Sequence, residues 1–199
     1  MLTNFRSQYE KISIPFGKAS LKLGLTPDAW TFFGLLSCCV AAVCFAQQRY
    51  WLGFFLVVVM NIADMLDGAT ARAGNCGSVF GTIFDHVTDR YEEFLLIGGL
   101  MWGGAISGQN ALFTASGIIM ASYVRAKAES VAPLKMGAVG IAGRQEKLFL
   151  MMLALVLFGF GWMDWGNVAI WAVGVISHIT AVQRLFFART AILGPKKSG

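Results

Sequence analysis

The chain is short of charge. Of its 199 residues only 14% are Asp, Glu, Lys or Arg, while 56% are hydrophobic and the mean hydropathy is +0.63. A soluble domain usually carries about a quarter charged residues, so the composition excludes an ordinary water-soluble globule, and no nucleic-acid partner is expected. Histidine is scarcer still, at two residues, and the four cysteines lack CxxC spacing. Neither a zinc-type centre nor a disulfide framework can be read from them. Cys38, Cys39 and Cys44 share one apolar run, and Cys76 falls in a short loop, so all four read as small packing residues. Proline is confined to positions 15, 27, 133 and 195, outside the long apolar runs. Strand-type alternation and solenoid-type repeats are also missing.

What remains is a series of apolar runs near the roughly 20 residues that cross a bilayer as helix. Spans are expected at about 30–46, 51–72, 79–103, 111–130, 145–161 and 167–190. Gly74-Asn75-Cys76-Gly77 breaks the second, and Ser78 is placed to cap the third. The longest loop runs from Pro133 to Gly143. Residues 1–22 mix Phe5, Tyr9, Ile12, Ile14 and Phe16 with Arg6, Lys11, Lys18 and Lys22. They read as an interfacial amphipathic helix interrupted near Pro15, not as a cleavable signal peptide. The expected fold is an all-α membrane protein: six transmembrane helices over residues 23–193, the juxtamembrane segment 1–22 before them and a flexible basic tail at 194–199.

Six spans put both termini on one side. Arg6, Lys11, Lys18, Lys22, Arg125, Lys127, Lys135, Arg144, Lys147, Arg184, Arg189, Lys196 and Lys197 share that side, and the opposite loops hold Arg49 alone. The positive-inside rule then makes it cytoplasmic, in a multi-pass protein of the cell membrane. Trp102, Trp162 and Trp165 stand where interfacial aromatics belong.

Acidic residues concentrate in one stretch. It reads Asp64-x-x-Asp67-Gly68-x-x-Ala71-Arg72, eight residues, then Gly81-x-x-x-Asp85-x-x-x-Asp89. Spacings of three and four put each pair of carboxylates on one helical face. Against them stand only Arg72 and Arg90 nearby, an excess of two negative charges. In a partly apolar setting such a cluster persists when protons or metal ions neutralise it. Oxygen ligands without histidine or thiolate favour a hard cation, Mg²⁺ or Mn²⁺. Such a centre near a membrane interface suits a pyrophosphate-bearing substrate.

Gly68, Ala71 and Gly81 lie among the aspartates, where missing side chains would let a base or sugar approach the backbone. The helix start at Ser78 offers free N–H groups to a phosphate, and Arg72 adds a charged fork. Farther on, Ser122, Arg125, Arg144 and Arg184 come from three apolar helices. A cation inside such a helix usually faces a polar cavity or snorkels to the interface. Three guanidiniums together would bind a second phosphate, carried by an acceptor. Arg90 and Glu93, three residues apart, suit a structural ion pair. His86 is turned off the aspartate face and reads as a helix contact; His178 has no assigned role.

The aspartate pattern, eight fixed positions over 26 residues, resembles the signature of the CDP-alcohol phosphotransferases without a departure. The resemblance implies an enzyme that transfers a phosphatidyl-type group from a CDP-activated lipid to an alcohol and releases CMP. It also implies two Mg²⁺ ions, with Mn²⁺ an alternative, held by Asp64, Asp67, Asp85 and Asp89. Asp89 would act as the base on the attacking hydroxyl, and a homodimer is implied as well. Pro27-Asp28-x-x-Thr31 is similar to the family's nucleotide-proximal element. Ser122-x-x-Arg125 with Arg144 and Arg184 resembles the inositol-phosphate branch, which often has Lys in place of Arg125. That branch implies myo-inositol 1-phosphate as acceptor and CDP-archaeol or CDP-diacylglycerol as donor. Glycerol 3-phosphate, which also needs a phosphate pocket, is the alternative. A cation channel or transporter fits less well, because the aspartates gather toward one membrane face on helices without internal proline.

Overall fold

The computed structural model describes residues 13–194. The expected interfacial residues before Ser13 and the basic tail beyond Gly194 lie outside that range. The described residues are all-helical, without strands. A first helix, α1, covers residues 13–22, with Pro15 in its first described turn, and the expected interruption near Pro15 borders residues outside the described range. It is followed by α2 (Pro27–Ala46), α3 (Tyr50–Gly74), α4 (Val79–Trp102), α5 (Gly108–Val131), α6 (Arg144–Gly159) and α7 (Met163–Leu193).

The boundaries have local causes. Thr26 caps α2, its hydroxyl accepting from Ala29 N at 3.2 Å, and Pro27 takes the first turn, where an N–H would lack a partner anyway. Asn75 ends α3 in the left-handed conformation (φ 47°). Ser78 starts α4 by accepting from Gly81 N at 2.8 Å, and Ser107 does the same for α5 from Asn110 N at 3.2 Å. At α6, the Gly143 N–H donates to Glu146 Oε2 at 2.9 Å.

Among the described residues, three helices, α2, α3 and α7, are long and apolar enough to cross a membrane. The α4 helix carries Asp85, Asp89, Arg90, Glu92 and Glu93, and α6 has only 16 residues.

The chain divides into two compact units, Met1–Gly99 and Leu100–Gly199. In the first, α2 packs along α3. Gly99 on α4 lies against the Ala42 backbone of α2 so closely that a side chain has no room. Gly17 brings α1 equally close to the Ala69 carbonyl of α3, and Trp30 Nε1 donates to Ser20 Oγ at 2.6 Å. In the second unit, α5 and α6 each pack on α7. A polar seam joins α5 to α7: Asn110 donates to Asn167, and Thr114 contacts the Ile170 carbonyl at 3.1 Å. Such bonds hold helices together where water offers no competing partner. The expected packing role suits Cys38 and Cys44, which are buried; Cys76 is exposed.

Candidate active site

The cluster is built by two helices. One turn of α3 presents Asp64 and Asp67, and successive turns of α4 present Asp85 and Asp89. Carboxylate oxygens of Asp64, Asp67 and Asp85 lie within 4.8 Å of one another. They line a cleft together with Asp89, Thr31, Gly34, Thr88 and Glu92. Asp67 and Asp89 are buried, whereas Asp64 and Asp85 are partly exposed.

Sequence reasoning missed three of these residues. Thr88 follows Asp85 by three positions, and Glu92 follows Asp89 by three, so both continue the acidic face of α4. Glu92 is only 5% exposed. Gly34, one turn after Thr31, faces it: a Cβ there would stand 3.4 Å from Glu92 Oε1. The period-3.6 pattern could have found Thr88 and Glu92. Gly34 has no signal outside the packing of α2.

The donor set fits a hard divalent cation. Three carboxylates converge without a nitrogen or sulfur ligand. The nearby arginines make other contacts. Arg90 pairs with Glu93 at 2.6 Å, the expected i, i+3 bridge, and stands 3.6 Å from Asp89. Arg72 donates through Nη2 to Ser13 Oγ at 3.3 Å on α1.

Thr31 touches the acidic cluster directly. Its hydroxyl lies 2.9 Å from Asp67 Oδ2, with the Pro27 carbonyl farther away at 3.3 Å. A donor behind a ligating carboxylate holds its rotamer, and losing such a partner typically costs 10–100-fold in metal affinity or activity. Thr31→Val is therefore expected to weaken Mn²⁺ binding about 10-fold, and Thr31→Ser to restore it. Titration calorimetry checks this; an unchanged affinity for Thr31→Val would remove the hydrogen bond from the account.

The other nucleotide candidates sit as follows. Asp28 reaches Gly81: a Cβ on Gly81 would lie 3.0 Å from Asp28 Oδ1 and from Ser78 Oγ. These three residues thus meet at the start of α4. The open side of Gly68 is bordered by Arg72, whose Nη1 lies 3.1 Å from where a Cβ would project. Ala71 faces the turn at Gly77, where a Cβ would be 3.8 Å away. His86 is exposed.

The acceptor candidates belong to the second unit. Arg184 is 5% exposed; Nη1 donates to the Ala121 carbonyl at 2.7 Å and Nε to that of Val139 at 3.0 Å. It thereby ties α7 to α5 and to the loop 132–143. Arg125 is half-exposed and pairs with Glu129 at 3.3 Å. Arg144 opens α6, and Ser122 lies one turn before Arg125 on α5. Lys147 is buried in α6. His178 packs on Phe113, its Nε2 lying 3.1 Å from the Phe113 carbonyl.

Residues 24–183 match the family model described as CDP-alcohol phosphatidyltransferase. The phosphatidylinositol phosphate synthase of Mycobacteroides abscessus is 34% identical over 194 residues, covering 94% of this chain and 87% of its own length. The archaetidylinositol phosphate synthase of Pyrococcus horikoshii is 30% identical over 189 residues, covering 95% and 97%. In structure, the chain resembles Mycobacterium tuberculosis phosphatidylinositol phosphate synthase with CDP-DAG bound: TM-score 0.79, 29% identity, 90% of this chain and 94% of that one. A second structure of that enzyme, in complex with manganese and citrate, matches with the same TM-score and identity and covers 89% of each chain.

Proposed function

The chain belongs to the CDP-alcohol phosphatidyltransferase family, and from that premise we propose that it makes an inositol phosphate lipid. A phosphatidyl-type group passes from a CDP-activated lipid, CDP-diacylglycerol or CDP-archaeol, to myo-inositol 1-phosphate, and CMP leaves. The observation that carries the reaction type is the meeting of Asp64, Asp67 and Asp85 within 4.8 Å. The inositol-phosphate acceptor is supported by relatives of that activity along nearly the whole chain.

Asp64, Asp67, Asp85 and Asp89 would hold Mg²⁺, two ions, with Mn²⁺ able to replace it. Bound there, the cations supply charge neutralisation to the diphosphate and to the departing CMP. The protein's own groups do the rest. Asp28, Ser78 and Gly81 at the start of α4, with Gly68, Ala71 and Arg72 on α3 and Thr31 on α2, orient the CDP moiety. Backbone N–H groups at the head of α4 favour phosphate there. Asp89 accepts the proton of the attacking inositol hydroxyl, whose oxygen then bonds to the phosphorus as the bond to CMP breaks. In the second unit, Ser122, Arg125, Arg144 and Arg184 receive the acceptor's phosphate.

The architecture proposed for this activity is one catalytic domain of six transmembrane helices over 23–193, flanked by the juxtamembrane segment 1–22 and the basic tail 194–199. The charged residues of α4 belong to a site, and α6 is short but apolar, so neither argues against a span. The excess of Lys and Arg on the terminus side places the termini and active site in the cytoplasm. The enzyme works as a homodimer.

An acceptor panel tests the reading. With CDP-diacylglycerol or CDP-archaeol and Mg²⁺, CMP release is expected with inositol 1-phosphate, and not with inositol or serine. Faster release with glycerol 3-phosphate would overturn the acceptor. Arg144→Ala is expected to raise the KM for inositol 1-phosphate about 10-fold or more, as loss of a charge-assisted contact does, and to leave that for the lipid within about twofold. Equal effects on both would move Arg144 out of the acceptor site.

A further inference from the structure

Glu129 of the second unit has no part in the proposed chemistry as described so far. Glu129 stands one turn beyond Arg125 on α5, and both its oxygens accept from Arg125 Nε, at 3.4 and 3.3 Å. The same Oε1 accepts the backbone N–H of Met136 at 2.8 Å. One side chain thus joins an arginine to the loop 132–143.

An exposed i, i+4 ion pair contributes little to stability. Its effect is direction. A guanidinium offers five N–H groups in a rigid plane, so fixing one edge fixes where the others point. With Nε turned to Glu129, the Nη edge of Arg125 remains for an anion. No other hydrogen-bond partner of Arg125 is found among the described residues. Gly137 gives that edge room: a Cβ there would lie 3.6 Å from Arg125 Nη2.

The loop to which Glu129 is tied is well anchored. Met136 is fully buried against Ala128 and Ala188. Ile141 N donates to Gln183 Oε1 at 2.8 Å, and Val139 accepts from Arg184 Nε at 3.0 Å. Gly140 adopts φ +113°, a conformation other residues rarely take, and lies too close to the Thr180 side chain to admit a Cβ without a shift. Glu129 therefore links Arg125 to a fixed body.

We propose that Glu129 is a positioning residue: it turns the guanidinium of Arg125 so that its Nη edge meets the phosphate of the incoming polyol phosphate. This rests on Arg125 being a phosphate ligand, as proposed above. The loop supplies the second anchor of the arrangement, through the Met136 N–H.

The test is steady-state CMP release by the full-length protein with Mg²⁺, varying inositol 1-phosphate and CDP-diacylglycerol in turn. Four proteins are compared: the parent, Glu129→Gln, Arg125→Ala and the double variant. The Gln side chain keeps an oxygen for the Met136 N–H while removing the charge that steers the arginine. Glu129→Gln is expected to raise the acceptor KM about five- to tenfold, with kcat and the lipid KM within about twofold, and Glu129→Asp to recover part of the loss. The double variant should be no worse than Arg125→Ala, because a residue acting through another adds nothing once that other is gone.

An unchanged or lowered acceptor KM for Glu129→Gln, a rise in both KM values, or additive losses in the double variant would each overturn the proposal. If Arg125→Ala raises the acceptor KM and Glu129→Gln does not, the phosphate site stands and the positioning role falls. If Arg125→Ala has no effect on that KM, the phosphate-ligand reading itself is wrong, and the role of Glu129 falls with it.

Discussion

Asp89→Asn is expected to lower CMP release by about 10²–10⁴-fold, the usual contribution of a positioned base, while the CDP-activated lipid still binds. Asp89 is 5% exposed on the same wall of the cleft as Asp85, one helical turn farther along α4. Asn keeps its size while losing the charge that faces Arg90, which stands 3.6 Å away. What it loses is the capacity to take a proton from the attacking hydroxyl. The measurements are CMP release by chromatography and CDP-lipid affinity by calorimetry with Mn²⁺ present. Near-normal turnover by Asp89→Asn would require another base. Loss of lipid affinity together with turnover would instead assign Asp89 to binding.

The second large effect has opposite signs in two assays. Asp85→Asn is expected to abolish turnover and, at the same time, to stabilise the metal-free protein. The oxygens of Asp64, Asp67 and Asp85 lie within 4.8 Å of one another, and two like charges about 4 Å apart repel by roughly 4 kcal/mol at an effective dielectric near 20. Removing one charge relieves two such repulsions, reduced by the solvent that reaches Asp64 and Asp85. Adding Mn²⁺ or Mg²⁺ should raise the melting temperature of the parent protein, since a ligand bound only to the native state stabilises it. The same addition should do much less for Asp85→Asn. In parallel, EDTA should stop CMP release by the parent, and Mg²⁺ or Mn²⁺ should restore it. A metal-free Asp85→Asn protein that melts well below the parent would mean that the carboxylates are not held in mutual opposition.

Much of this is legible in the sequence. Helix starts are readable where a local signal exists: Ser78 heads α4, as its hydroxyl and position suggest. The end of α3 at the Gly74–Asn75 break follows from a left-handed residue that few side chains other than Asn or Gly adopt readily. Starts with weaker signals lie earlier than the sequence suggests. The α5 helix begins at Gly108 rather than near 111, because its cap, Ser107, is hidden among other polar residues. The α7 helix begins at Met163 rather than near 167, since Met163-Asp164-Trp165 reads as part of a turn.

In the cleft, spacing predicts which aspartates share a face of one helix. The hydrogen bond from Thr31 to Asp67 joins residues 36 positions apart and has no local signature. Arg184 is expected to face a polar cavity; it is buried, and it donates to two main-chain carbonyls. One of these, Val139, belongs to the loop 132–143, whose path depends on where Met136 is buried, and no periodicity announces that.

Helix α6 has 16 residues and its packing partner α7 has 31. At 1.5 Å per residue these are rods of about 24 and 46 Å, beside a hydrocarbon slab of about 30 Å. In the proposed six-span arrangement the longer rod would protrude and the shorter one would fall short. Lipid beside the shorter rod would be drawn inward, because thinning is how a bilayer accommodates a short span. Arg144, its first residue, would then lie below the average headgroup level, where the proposed sugar phosphate could descend to it without entering oil.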